Sequence, residues 1–438
     1  MGCSSCIEKL KAFTESNTFV IVIVYASLMV DNMLLTAVVP ILPEYFYQKH
    51  EQELESRSTH STTATTETPM PATYVPRNDT ICIHQAENDY LAKEPIYIGI
   101  LFASKPVVQT LANFAVGPIT DRIGFDIPLL AGYIIMAASA ILFALGKQYG
   151  VLLLARAVQG VGSACAATAG MAWLADRYTD NAERGRAMGI ALGGLALGVL
   201  TGPTFASVIY QLAGKDWVFI TLAILALALV VVQLTTRKMK VFRRSDDNGT
   251  PIFTLLADPY ILTVAVCVAV GNSVIGIVEA GQPIWMIKTM CPSKWELGIA
   301  FLPISATYLL TINLVAVIGH KVTRWIFCLL GFYCCVLGSV VYPFAHNVLE
   351  VIGPGAILGI GVGFVDSSML PVMAFLVDKR HKPVYGSVYA ITDIAFCVAF
   401  TIGPLISGGV ITAIGFEWLM WGMAIALFIF APIVCVLR

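Results

Sequence analysis

The sequence predicts an all-α membrane protein of twelve transmembrane helices, built as two pseudo-symmetric six-helix halves. Three observations lead there. The 438-residue chain is 57% hydrophobic and only 13% charged, with a mean hydropathy of +0.78, which is more apolar surface than a soluble domain can hide. Apolar runs long enough to cross a bilayer recur twelve times. Finally, GPTFASVIYQLAGKDW (202–217) and GPLISGGVITAIGFEW (403–418) match at an offset of 201.

A short tail, 1–18, opens with MGCSSC, which partly matches an N-myristoylation signal but has Cys6 where Ser or Thr is expected. In the first span, 19–46, Asp31 is the one charge between Glu15 and Glu44, against roughly 2.5–3.5 kcal/mol of resistance at bilayer depth. The loop 47–93 contains the Ser/Thr/Pro-rich STHSTTATTETPMPAT, is expected to be disordered, and holds the sequon Asn78-Asp79-Thr80. Spans at 94–118, 128–147, 150–176, 184–211 and 216–236 complete the first half. The basic linker 237–256 leads to spans at 257–287, 295–319, 324–345, 349–377, 384–413 and 416–437, the second half being 257–438.

Orientation follows from Lys and Arg. With both termini in the cytosol, the cytosolic segments hold 17 of the 27 basic residues and the opposite side eight, while Lys105 and Arg156 lie inside spans. Asn78 then lies on the lumenal side as a glycan site. Of the 11 cysteines only Cys82 and Cys291 fall in lumenal loops, where an oxidising compartment predicts a disulfide tying the halves together.

Within the repeat, Gly160 and Gly162 align with Gly361 and Gly363, and Gly185 with Gly386. Duplicated halves suit a transporter with its site between them near the midplane. The loop GPITDRIGFD (117–126) resembles the GxxxDRxGRR motif of the major facilitator superfamily. LLLARAVQGVGSA resembles its RxxQGxG motif, and GVLTGPTFAS its antiporter motif GxxxGPxxGG, with Ala206 and Ser207 replacing the last two glycines.

Six ionisable residues lie well inside spans: Asp31, Lys105, Arg156, Glu279, Asp366 and Asp393. Ion pairing accounts for part of the set, with Lys105 to Asp393 and Arg156 to Asp366 the expected pairs. Four acids against two bases leave a formal −2, to be met by protons, a metal or a cationic substrate. No intramembrane His accompanies the acids, so a metal is the weakest of these, and no cofactor is expected. Nor is there a nucleophile–base pair for an enzyme. Asn272, Ile275 and Glu279 share a helical face, as do Asp393, Phe396 and Phe400. Acids beside aromatic rings suit an aromatic ammonium ion.

VDNMLLTAVVPILP, ILFASKPVVQ, ERGRAMGIALGGLALG, GFVDSSMLP and LVDKRHKPVYGSVYAITDIAF are similar to the vesicular monoamine transporters over nearly the whole chain. The resemblance implies proton-coupled uptake of cytosolic amines into synaptic or secretory vesicles by a glycoprotein antiporter, driven by a vacuolar proton-pumping ATPase. It implies substrate contact at Asp31, Leu195, Val199, Asn272, Ile275, Glu279, Phe301, Tyr308, Asp366 and Phe400. It implies proton coupling through Asp366, supported by Asp393, Lys105 and Arg156. The expected partners are a monoamine, protons and the lipid bilayer, with no nucleic acid, and the expected state is a monomer. The sequence departs from the family at Ala280-Gly281-Gln282 and at Phe400, where a Tyr hydroxyl is lost. The alternatives are an acetylcholine or polyspecific drug antiporter, or a transport-inactive homologue.

Overall fold

The computed structural model describes residues 16–61, 88–236, 250–290, 292, 294–319 and 322–437. Cys82, Cys291 and Asn78 lie outside the described residues, and with them the expected disulfide and glycan site.

Twelve long helices are present among the described residues. The first half contains α1 (Asn17–Ser61), α2 (Asn88–Ile123), α3 (Asp126–Leu145), α4 (Tyr149–Arg177), α5 (Asn181–Ala213) and α6 (Lys215–Thr236). The second contains α7 (Pro259–Thr289), α8 (Leu302–Ile318), α9 (Arg324–Val341), α10 (Ile352–Arg380), α11 (Gly386–Ala413) and α12 (Phe416–Phe430). Among the described residues, eleven helical segments are long and apolar enough to cross a membrane. The exception, α2, carries Lys105, Gln109 and Asn113 at every fourth position, which dilutes its apolar stretch.

Local chemistry sets the boundaries. Asp180 caps α5 by accepting from the N–H groups of Ala182 and Glu183 at 2.9 and 3.0 Å. Asp258 caps α7 through Tyr260 N–H at 3.0 Å, with Pro259 in the first turn. Gly214 and Gly415, equivalent in the repeat, turn the chain before α6 and α12 with φ of 85° and 96°, where a Cβ would be strained. Three expectations are corrected. α1 continues to Ser61 rather than ending near 46, because the helix formers of QKHEQELES extend it. The span expected from 295 is divided into Lys294–Ile299 and α8, since Pro303 starts a helix more readily than it continues one. A short helix, Ile252–Leu256, lies within the expected linker.

Small residues bring the helices together. Gly194, Gly198 and Gly202 recur every fourth residue on α5, and a Cβ at each would run into Tyr25, Met29 and Thr36 of α1 respectively. On the other side of the repeat, Gly403 of α11 meets the backbone of Gly276 on α7. The repeat register differs in α4 and α10. Gly162 packs on Gly132 of α3, whereas its packing equivalent on α10 is Gly361, which meets Gly331 of α9. Gly160 faces α2 and Gly359 faces α8 in the same way, so Gly361 and Gly363 are not the partners of Gly160 and Gly162. The halves meet mainly along α2 with α11 and along α5 with α8, and α10 is the most enclosed span, with 78% of its apolar window buried.

Candidate functional site

The six intramembrane charges separate into two groups. In the first half, Asp31 on α1 is 5% exposed, with Lys105 Nζ of α2 at 3.6 Å and the Ser163 hydroxyl of α4 donating to it. Arg156, 1% exposed, donates to Gln159 Oε1 at 3.0 Å and to the Leu35 carbonyl at 3.3 Å, and lies over the rings of Phe102 and Phe143. Its remaining Nε and the Gln159 amide nitrogen have no acceptor among the described residues, which leaves two buried donors for a polar guest.

In the second half, Asp366 on α10 is 1% exposed and held by neutral donors. Asn272 Nδ2 of α7 donates to it at 2.8 Å and Tyr308 OH of α8 at 3.0 Å. Asp393 on α11 is half-buried and accepts from Gln109 at 2.8 Å and Asn113 at 2.6 Å, both on α2 across the boundary. Asn113 is itself oriented by Thr168 at 2.9 Å. Glu279, also half-buried, feels the charges of Arg156 and Lys105. An acid of the second half is thus within electrostatic reach of both cations of the first.

The face bearing the basic loops is latched. Asp121, of the GPITDRIGFD motif and in the last turn of α2, accepts from Gly386 N, Ser387 N and Ser387 Oγ at 2.7, 3.0 and 2.5 Å, capping α11 of the other half. Burial pushes its carboxyl above the usual carboxylate range despite these hydrogen bonds. Beside it, Arg184 donates to Asp378 at 2.7 Å, and Tyr385 OH donates to the same carboxylate at 2.6 Å.

Residues 21–396 match the Major Facilitator Superfamily. The synaptic vesicular amine transporter of Mus musculus is 42% identical over 98% of this chain and 90% of its own. The chromaffin granule amine transporter of Rattus norvegicus is 42% identical over 98% and 89%. The chain belongs to the vesicular amine transporter family. A probable vesicular acetylcholine transporter of Danio rerio is 39% identical over 96% of this chain and 78% of its own. A crystal structure of the human organic anion transporter MFSD10 shares the fold, with a TM-score of 0.75 at 15% identity over 96% of this chain and 99% of that one. Membership makes this a multi-pass membrane protein of a transporter superfamily.

Within the vesicular amine transporter pattern, the expected ion pairs are corrected. Lys105 pairs with Asp31 and not with Asp393, because the amides of Gln109 and Asn113 occupy Asp393. Arg156 does not reach Asp366, which Asn272 and Tyr308 already satisfy. Asn272, Tyr308 and Asp366 form one hydrogen-bonded cluster, and Asp31, Lys105 and Ser163 another. Leu195, Ile275 and Phe301 are half-buried against the core formed mostly by the second half. Val199 and Phe400 are half-buried as well, Val199 next to the glycine face of α5. Phe301 precedes α8 as its N-cap rather than lying within a continuous span. Asn32 Nδ2 donates back to the Leu28 carbonyl of its own helix at 2.8 Å. The site residues missed from sequence are Gln109, Asn113, Ser163 and Thr168. The first two were legible as a polar stripe with Lys105 in an otherwise apolar span.

Proposed function

We propose that this chain is a proton-coupled antiporter that loads cytosolic monoamines into acidic vesicles by alternating access, with both termini in the cytosol. The moving units are the halves 19–236 and 257–438. The observation that carries this reading is Asp366: a carboxylate 1% exposed, at bilayer depth, whose hydrogen-bond partners are the neutral Asn272 and Tyr308. An acid so enclosed is stable when protonated and costly when charged, so it alternates between a proton and a nearby cation. Asp31 and Glu279 offer a carboxylate from each half to an ammonium ion. The Asp31–Lys105 separation of 3.6 Å is longer than a direct charge-assisted hydrogen bond of roughly 2.7–2.9 Å, so an incoming amine competes with a loosely held lysine. Phe400 and Phe301 supply ring faces for the cargo. The family names of the relatives support an amine as cargo, and a vacuolar proton-pumping ATPase supplies the gradient. Two protons crossing about 1.5 pH units sustain roughly a thousandfold gradient of neutral cargo, at about 1.4 kcal/mol per unit per proton.

Proteoliposomes with an acidic interior test this. Labelled serotonin should accumulate and be released by a protonophore. Accumulation of acetylcholine in its place would transfer the assignment to the acetylcholine branch, and uptake indifferent to the pH gradient would reject coupling.

A further inference from the structure

On the basic face, where the first turns of α5 meet the end of α8, the start of α9 and the middle of α10, a small cleft opens to solvent, with a cavity volume of about 30 Å³. Arg186 of the first half and Arg324 of the second both line it. Gly185 makes room for the second guanidinium, since a Cβ there would stand 3.1 Å from Arg324 Nη2. The same nitrogen donates to the Asn181 carbonyl at 2.6 Å, so Arg324 reaches across the boundary between the halves. Among the described residues neither arginine has a carboxylate within ion-pair distance. The charges acting on Arg324 are Arg184, which repels it, and Asp180, which attracts it. The Asp180 carboxylate is already engaged in capping α5.

We infer that this cleft binds a phosphomonoester anion clamped between Arg186 and Arg324. Two guanidinium forks from different helices match a dianionic phosphate in charge and in planar hydrogen-bond geometry, whereas a carboxylate neutralises only one of them. A cationic cargo is repelled, so the cleft is distinct from the central site. The phosphate comes from one of two sources: a phosphoinositide headgroup in the adjoining leaflet, or a free phosphate in the aqueous phase. Because each half contributes one arginine, a bound anion holds the basic face shut and adds to the closure made by Arg184 and Asp378. Binding does not depend on which amine is transported, so it is tested separately from transport.

The experiment measures binding to the purified full chain. The probes are inositol 1,4,5-trisphosphate, inorganic phosphate, and nanodiscs of phosphatidylcholine with or without phosphatidylinositol 4,5-bisphosphate. Saturable binding is expected to weaken about tenfold or more, about 1.4 kcal/mol, in Arg186→Gln and in Arg324→Gln. Lys379→Gln, outside the cleft, should leave it unchanged. Binding of the lipid nanodiscs and the trisphosphate but not of inorganic phosphate assigns the site to a headgroup, and equal binding of inorganic phosphate assigns it to a free anion. Should Arg324→Gln fail to fold, Arg186→Gln decides alone, because its side chain is exposed and anchors nothing in the structure. Absence of saturable binding to every probe, equal binding in Arg186→Gln, or an equal loss in Lys379→Gln would overturn the inference.

Discussion

Arg184 and Asp378 join the two halves at 2.7 Å, with the arginine side chain 1% exposed and the aspartate side chain 30% exposed. Removing the cation leaves Asp378 with only the Tyr385 hydroxyl at 2.6 Å. Arg184→Gln should weaken closure by about 2 kcal/mol, less than a fully buried pair because Asp378 is partly hydrated. A cysteine placed at Ser387 should then react faster with an impermeant thiol reagent from the basic face. An unchanged rate would mean that the pair does not hold the latch.

Asp31 and Lys105 form a pair that either serves itself or is opened by cargo. Asp31→Asn should abolish amine uptake, and the double change Asp31→Asn with Lys105→Ala should not restore it. Uptake recovered in the double variant would reduce Asp31 to a counter-ion for Lys105.

Asp366→Asn should lose accumulation driven by a pH gradient. Exchange of labelled for unlabelled amine at equal pH should persist, because Asn272 and Tyr308 can still bond to the amide. Tyr308→Phe removes one donor and should slow accumulation several-fold without abolishing it, a loss on the order of 1 kcal/mol. Full accumulation by Asp366→Asn would reject its coupling role.

Asp258 supplies a pH prediction. Burial pushes its carboxyl up, but hydrogen bonds from Arg380 at 2.8 Å, His381 at 2.9 Å and Tyr260 N–H outweigh that and hold it below the ordinary 3.8. A folded value below the unfolded one means stability that is present above the unfolded pKa and lost as pH falls through the folded one. Melting temperature in detergent should therefore drop as pH falls below about 4. Asp258→Asn should start lower and show a shallower acid limb, and an identical limb would remove Asp258 from the account.

Gly198 lets α5 lie on the backbone of Met29 and on Asn32 of α1. Gly198→Leu should separate the helices and destabilise the first half by several kcal/mol, roughly the cost of overpacking a tight core with added backbone displacement. The check is the yield of monodisperse protein, with Gly150→Leu, where an added Cβ meets nothing within 4 Å, as the comparison. Equal yields would show that the stripe tolerates a side chain.

Fold and repeat were legible because a bilayer demands long apolar runs, and because tight turns such as Gly214 and Gly415 admit little beyond glycine. The charged positions were legible for the same reason: an acid such as Asp366 has few causes at that depth. Pairing was not. Choosing between Lys105–Asp31 and Lys105–Asp393 depends on how α1, α2 and α11 rotate against one another, and on amides whose roles only packing reveals. The register of α4 against α10 was hidden likewise, since glycine spacing alone fits two alignments while contact faces fit one.

The midplane charges have a mechanical consequence. Two bases against one acid give the first half a formal +1, while Glu279, Asp366 and Asp393 give the second −3. The halves therefore behave like oppositely charged plates separated by a polar gap, and their attraction grows with the charge on the acidic plate. On the proposed reading, each proton or ammonium ion that settles on the second half would discharge that plate by one unit and relax the pull. Protonation and opening would then be driven by the same field, and a neutral substitution on the acidic plate should loosen the gap even where it touches no cargo.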